Sequence, residues 1–166
     1  MFKKMLYETK WGTITFGHNQ GIVNRVILPD KQEETGLEEE LSSYQNQKLT
    51  ALERELNLYF QGRLVNFSIP VSLEGLPTFT KQVLEVTKRV NWGEVCTYGQ
   101  IAKILNKPGA SRAVGQSLGK NPCPLLVPCH RVIGRNNSLG GFSGMIELKK
   151  WFLNLEGVNL KVLKEV

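Results

Sequence analysis

Pro128-Cys129-His130-Arg131-Val132 places a strong nucleophile directly beside a versatile proton carrier. A cysteine reacts as its thiolate, and nearby positive charge or a hydrogen-bonding histidine raises the thiolate fraction. His130 and Arg131 supply such neighbours along the chain. Adjacent residues of a helix or strand point in different directions, so a bound water is a simpler Cys129–His130 link than direct contact. Pro128 points to a tight turn at this place. A free cysteine is often just a small buried hydrophobe. Here, however, the apolar, strand-like run Pro124-Leu125-Leu126-Val127-Pro128 leads straight into three polar or reactive side chains, as expected of an active site. Cys96 and Cys123 read as structural thiols, with Cys123 close enough in sequence to Cys129 to matter on oxidation.

Upstream, residues 98–105, the turn Asn106-Lys107-Pro108-Gly109 and residues 110–118 have the spacing of a helix-turn-helix. Taken alone, that motif predicts a regulator reading the major groove with long polar side chains. Its second helix instead offers small residues, Ser111, Ala113 and Gly115, suited to lying against a narrow groove while reading little base identity. Arg112 is the exception, a long cation at the helix start. Residues 77–90 form a further helix with Phe79, Val83, Val86 and Val90 on one stripe. Downstream, Asn136-Asn137-Ser138 and Gly140-Gly141 read as a loop. Residues 145–155 resume helical periodicity, with Met145, Leu148, Trp151, Phe152 and Leu155 inward and Gly157 as a left-handed cap.

The first half reads differently. Residues 5–10, 13–17 and 21–28 are short β-rich runs separated by turns, including one at residues 18–21 to which His18 is assigned, and they predict a small antiparallel meander. Residues 31–43 are polar and acid-rich, a solvated helix face or loop. Residues 48–60 place Leu49, Leu52, Leu56 and Tyr59 at helical spacing, a core-facing helix. Residues 62–77 hold two prolines and two glycines within and at their ends, suiting a linker or domain seam.

Charge follows the same division. Residues 1–75 carry 8 basic and 10 acidic side chains, whereas residues 76–166 carry 13 and 5. The basic balance lies wholly in the half that holds Cys129, as a phosphate-facing surface requires. The 166 residues suffice for one or two small domains. No apolar run is long enough for a membrane span, and the first residues lack the uncharged core of a signal peptide. Three cysteines without an export signal suit reduced thiols in the cytoplasm.

Several separated segments, in one order, resemble the O6-alkylguanine-DNA alkyltransferases (methylated-DNA–protein-cysteine methyltransferases) between about Gly93 and Gly157. These are Gly93-Glu94-Val95-Cys96-Thr97-Tyr98-Gly99-Gln100, Ser111-Arg112-Ala113-Val114-Gly115, Asn121-Pro122, the Cys129 pentapeptide, Gly140-Gly141-Phe142-Ser143-Gly144 and Leu155-Glu156-Gly157.

The resemblance implies an α/β (α+β) fold. A ribonuclease-H-like structural domain over residues 1–75 would carry the small antiparallel sheet, and an α-rich, winged-helix-like domain with the helix-turn-helix would follow over residues 76–166. It implies a suicide repair reaction in which Cys129 takes the alkyl group from guanine O6 in double-stranded DNA and keeps it. It leaves O4-alkylthymine open as a second lesion. A relay of Glu156, His130, water and Cys129 would carry the proton, Tyr98 would help rotate the nucleotide and hydrogen-bond the extruded guanine, and Asn121 would tie its turn to that of Cys129.

Tyr98, Arg112, Ser111, Ala113, Gly115 and Arg131 would face DNA, with the second helix in the minor groove and Arg112 filling the place of the extruded base. Val132, Phe142, Ser143 and Pro124 would line the base pocket, Phe142 standing where other members carry tyrosine. No cofactor is implied, and the first half lacks the Cys/His set with which some members hold zinc, so no metal is expected. A cytoplasmic monomer without an obligate protein partner is the resulting picture. Three alternatives stay open: a cysteine hydrolase, a helix-turn-helix regulator without transfer, and an alkyltransferase-like protein that binds lesions only.

Overall fold

The computed structural model describes residues 3–29, 38–39, 46–141 and 145–164. Three strands open the chain, β1 (Lys3–Thr9), β2 (Gly12–Asn19) and β3 (Ile22–Ile27). They pair antiparallel as a meander with β2 in the centre, and the two-residue β4 (Glu38–Glu39) adds parallel to β1. Gln20 and Gly21 both take positive φ, 50° and 74°, the backbone that a two-residue hairpin turn needs to match strand twist. The meander is as the alternating sequence predicts. His18, assigned to a turn, instead lies buried in β2 beside a shift in the β2–β3 register. Apart from the β4 backbone, the acid-rich residues 31–43 lie outside the described residues.

Helix α1 (Gln47–Phe60) begins where the Asn46 side chain accepts a hydrogen bond from the Lys48 amide, and it buries Leu49, Leu52, Leu56 and Tyr59. The seam that follows, residues 62–77, is irregular but not loose. Val23 donates to the Pro70 carbonyl at 2.9 Å, and Ser72 donates to that of Val23 at 2.8 Å, stitching the segment to β3.

Helix α2 (Thr78–Thr87) follows Pro77 and buries Thr80, Val83, Leu84, Val86 and Thr87; Val90, expected on its stripe, lies beyond its end. The helix-turn-helix is then α3 (Tyr98–Ile104) and α4 (Ser111–Leu118). α3 starts on a capping box in which the Thr97 and Gln100 side chains each take the other's backbone N–H. Just before it, β5 (Cys96–Thr97) pairs parallel with β6 (Val132–Ile133). That two-residue ladder draws the start of α3 against the residues that follow Cys129. Helix α5 (Ile146–Leu155) ends before Gly157, whose φ of 78° is the left-handed cap the sequence calls for.

One apolar core runs through both halves of the chain, from Met5, Ile14 and Phe16 through Leu52 and Tyr59 to Ile101, Val114, Val132 and Phe152. Burial rather than hydrophobicity alone decides what each leucine contributes. Leu52→Ala, a fully buried α1 position, should lower the unfolding free energy by about 2–5 kcal/mol. Leu64→Ala, at a position 67% exposed, should change it by no more than about 0.5 kcal/mol. Urea unfolding of the two variants checks the pair.

Candidate active site

Residues 124–127 are not the strand that their apolar character predicts. They form a tight turn closed by the Val127 amide donating to the Cys123 carbonyl at 2.9 Å, with Leu125 at φ 76°. A leucine rarely adopts that backbone, and here its side chain is buried in the core. The chain turns again at once, as Cys129–Arg131 form a single 3-10 turn. Cys129 is 9% exposed and His130 fully buried.

Asn121 holds these turns together. Its Nδ2 donates to the Val127 carbonyl at 3.0 Å and to Cys129 Sγ at 3.1 Å, while its Oδ1 accepts from the Cys123 amide at 3.0 Å. The side chain thus spans the end of α4 and the nucleophile, the tie that the Asn121 expectation describes.

His130 and Cys129 have no direct hydrogen bond among the described contacts. His130 Nε2 faces Glu156 Oε1 at 2.8 Å. A carboxylate only accepts, so Nε2 carries the proton and Nδ1 keeps its lone pair. Among the described residues the buried Nδ1 has no hydrogen-bond partner, which leaves it a proton acceptor within the site.

Arg131, expected at DNA, is placed elsewhere. Its Nε donates to Glu156 Oε2 at 2.8 Å, its Nη2 to Oε1 at 3.0 Å and its Nη1 to the Val90 carbonyl at 2.7 Å. The guanidinium is spent inside the protein, and its fork matches the carboxylate in a two-pronged pair. A PCHRV run does not reveal this, because the partner lies 25 residues on. Tyr59 Oη completes the group, donating to Glu156 Oε1 at 2.8 Å. Burial favours a neutral Glu156, but hydrogen bonds from His130 and Arg131 and the guanidinium charge outweigh it and hold the carboxyl well below the usual range.

Lys149 is a second residue that the sequence hides. It sits on the inward face of α5, fully buried, and its Nζ donates to the carbonyls of Val132, at 2.6 Å, and Leu139. Burial pushes its ammonium down to about 8, opposed by the Cys129 sulfur. The ammonium therefore clamps the loop after Cys129 onto α5 and places positive charge near the thiol.

A cavity of about 390 Å³ opens over Cys129, lined among others by Tyr98, Asn121, Pro124, Gly141 and Met145, with Val26 and Leu28 reaching in from the first half of the chain. Its volume falls within the range of small-ligand sites. Tyr98 Oη points to the Gly141 carbonyl at 3.5 Å. A side chain at Gly140 is barred, because a Cβ there would lie 2.7 Å from Tyr98 Oη and φ is 67°. Val132 is buried with its carbonyl held by Lys149. Phe142 and Ser143 lie outside the described residues.

On the outer side of Tyr98, a shallow depression is lined by Tyr98, Gly99, Ser111, Arg112, Gly115 and Arg135. Arg112 is exposed, while Ser111, Ala113 and Gly115 are half-buried. Arg135, also exposed, joins Arg112 there, although its sequence context of two asparagines suggests only a loop. Among the described residues no group of three or more His, Cys, Asp or Glu is placed to hold a metal ion.

Two family models cover most of the chain: the ribonuclease-like domain of 6-O-methylguanine DNA methyltransferase matches residues 2–73, and its DNA-binding domain matches residues 78–158. A methylated-DNA–protein-cysteine methyltransferase of Sulfolobus acidocaldarius is 39% identical over 158 residues, 95% of each chain. The crystal structure of Mycobacterium tuberculosis O6-methylguanine methyltransferase superposes with a TM-score of 0.83 at 30% identity, covering 94% of this chain and 93% of that one. That of the M. tuberculosis OGT in complex with DNA does so with a TM-score of 0.81 at 30% identity over 93% and 91%.

The geometry changes one expectation about the thiol. Burial raises the Cys129 pKa, and the Asn121 hydrogen bond, Lys149 and two backbone amides offset it only in part. Burial likewise lowers that of His130, against the pull of Glu156. The resting pair is thiol and neutral imidazole. Iodoacetamide labelling of Cys129 in the free protein, followed by peptide mass spectrometry, should therefore keep climbing with pH beyond about pH 9. A preformed thiolate would give a plateau above about pH 7.

Proposed function

The chain belongs to the methylated-DNA–protein-cysteine methyltransferase family, and on that premise we propose how its side chains divide the work. The protein repairs DNA by direct reversal, transferring a methyl group from the damaged base to its own cysteine. The acceptor is Cys129, and the lesion is O6-alkylguanine in duplex DNA. The observation that carries this reading is the buried line from Glu156 through His130 to a free Nδ1 lone pair beside the Cys129 turn, at the floor of a base-sized cavity.

In the proposed reaction a water passes the Cys129 proton to His130 Nδ1, and Glu156 stabilises the imidazolium, the carboxylate's role in a hydrolase triad. The sulfur attacks the alkyl carbon. One S–C bond forms, the C–O6 bond breaks, and its electron pair goes to the guanine. Burial raises the Tyr98 pKa and keeps the phenol protonated, so Tyr98 stays a hydrogen-bond donor at guanine N3, and the proton held by His130 passes through solvent to the departing guanine. Asn121 and Lys149 stabilise negative charge on sulfur as it develops. The thioether has no route to release, so each molecule acts once.

Helix α4 lies in the minor groove, its small residues against the sugar edges and Arg112 in the space left by the flipped nucleotide. Flipping costs roughly a few kcal/mol, which contacts to DNA must offset. Residues 1–75 form one domain and residues 76–166 another, the second bearing the nucleophile. No helix of the described residues is long and apolar enough to cross a membrane; three reduced cysteines suit the cytoplasm, where we take the protein to act as a monomer without an obligate protein partner.

One equivalent of O6-methylguanine duplex should add a single methyl group to Cys129, seen by intact-protein mass spectrometry, and exhaust the protein; repeated turnover would overturn the reading. Cys129→Ala should keep DNA affinity and lose transfer. A second experiment separates flipping from chemistry by single-turnover rates on duplex and on free O6-alkylguanine base. Arg112→Ala should slow duplex repair far more than reaction with the free base. Glu156→Gln should slow both alike. It should also cost about 3–5 kcal/mol of stability by leaving Arg131 without its buried counter-charge, so its rates are read well below its melting temperature.

A further inference from the structure

Tyr59 lies near the end of α1, in the half of the chain that supplies none of the groups assigned to the reaction. Its ring is fully buried among Phe60, Phe67, Trp92 and Phe152, at centroid separations of 5.2 to 6.2 Å. A phenylalanine would fill that space as well. The hydroxyl therefore calls for its own explanation, and among the described residues its hydrogen-bond partner is Glu156 Oε1, at 2.8 Å. The same oxygen takes His130 Nε2 at 2.8 Å and Arg131 Nη2 at 3.0 Å.

We infer that Tyr59 is a positioning residue for alkyl transfer: its hydroxyl, brought from the first half of the chain, fixes the Glu156 carboxylate in the orientation that orders His130. The inference rests on the relay proposed above and deepens it. Arg131 grips both carboxylate oxygens but comes from the same turn as His130, so the pair can shift together. Tyr59 approaches from a separate element, and with it Oε1 is held from α1 as well as from the catalytic turn. Burial and the nearby carboxylate raise the Tyr59 pKa well above its ordinary value, so the phenol remains a donor throughout the working range.

The hydroxyl also sets the charge on Oε1. A donor to that oxygen draws off electron density and weakens its hold on the Nε2 proton. Without it, His130 binds its second proton more tightly. The groups facing this cluster are His130 and Arg131 from the 3-10 turn, Lys149 from α5 and Tyr59 from α1. Only the last is changed by Tyr59→Phe. Transfer needs neutral His130, so a raised pKa moves the acid limb of the pH–rate profile to higher pH.

The test measures single-turnover rates for Tyr59→Phe, Phe67→Leu and Glu156→Gln against the unsubstituted protein, on methylated duplex and on free O6-alkylguanine base, from acid to alkaline pH. Tyr59→Phe should slow both substrates by roughly tenfold, the loss of one hydrogen bond to a charged group, with duplex affinity unchanged and the acid limb shifted upward. Phe67→Leu disturbs the same aromatic cluster without touching the carboxylate; it should lower the melting temperature and leave the pH profile in place. Tyr59→Phe with the original rate and profile, beside a slow Glu156→Gln, would overturn the role of Tyr59 and leave the relay standing. An equal shift of the acid limb in Phe67→Leu would reduce Tyr59 to packing. An unimpaired Glu156→Gln would remove the relay itself, and this inference with it.

Discussion

A single carboxylate, Glu156, is the constraint on which the site depends. It is buried just past the end of α5 and must stay ionised where burial favours the neutral acid. It does so because His130, Arg131 and Tyr59 converge on its two oxygens from the catalytic turn and from α1. A buried ion pair adds little net stability, but breaking one is costly, because the remaining charge has no water to turn to. The cluster therefore acts less as glue than as a jig: the Cys129 turn, the end of α5 and α1 are held in an arrangement in which both carboxylate oxygens are matched.

The nucleophile is quiet by comparison. A cysteine beside histidine and arginine in sequence suggests a standing thiolate, yet Arg131 faces away and burial holds the Cys129 proton in place. Asn121 and Lys149 supply a hydrogen bond and a charge that favour the anion without forming it. For a protein that reacts once, this arrangement keeps the sulfur from casual electrophiles. In the proposed reaction, a base entering the cavity excludes solvent and completes the surroundings of the sulfur.

What was legible in the sequence was local. The meander, the α1 stripe and the helix-turn-helix follow from periodicities of two and 3.6 and from Gly-containing turns, and the structure has them close to the expected places. The Cys129 turn was also open to reading, from Pro128, whereas the Asn121 tie and the Glu156–His130 pair were implied only by the family resemblance. The missed features are those whose meaning comes from a distant partner. Arg131 looks like a DNA cation until Glu156 is folded against it, Tyr59 like a core aromatic, and Lys149 falls outside the apolar stripe of α5. Leu125 was misread for a different reason. Its left-handed backbone opposes its own preference, and only the surrounding core, which takes its side chain, makes that turn favourable.

The 97 residues that separate Tyr59 from Glu156 have a consequence for how the protein is made. Long-range contacts form late, after the entropy of closing a large loop has been overcome. On the ribosome, Cys129 is added before Glu156, which follows His130 by 26 positions. Until α5 is synthesised and docks, the thiol is no more than an ordinary cysteine, with no carboxylate to orient His130 and no Lys149 charge beside it. On the proposed relay, competence to react therefore arrives only once α5 and Glu156 have docked, so a copy cut short before α5 holds Cys129 without the carboxylate and the ammonium that flank it.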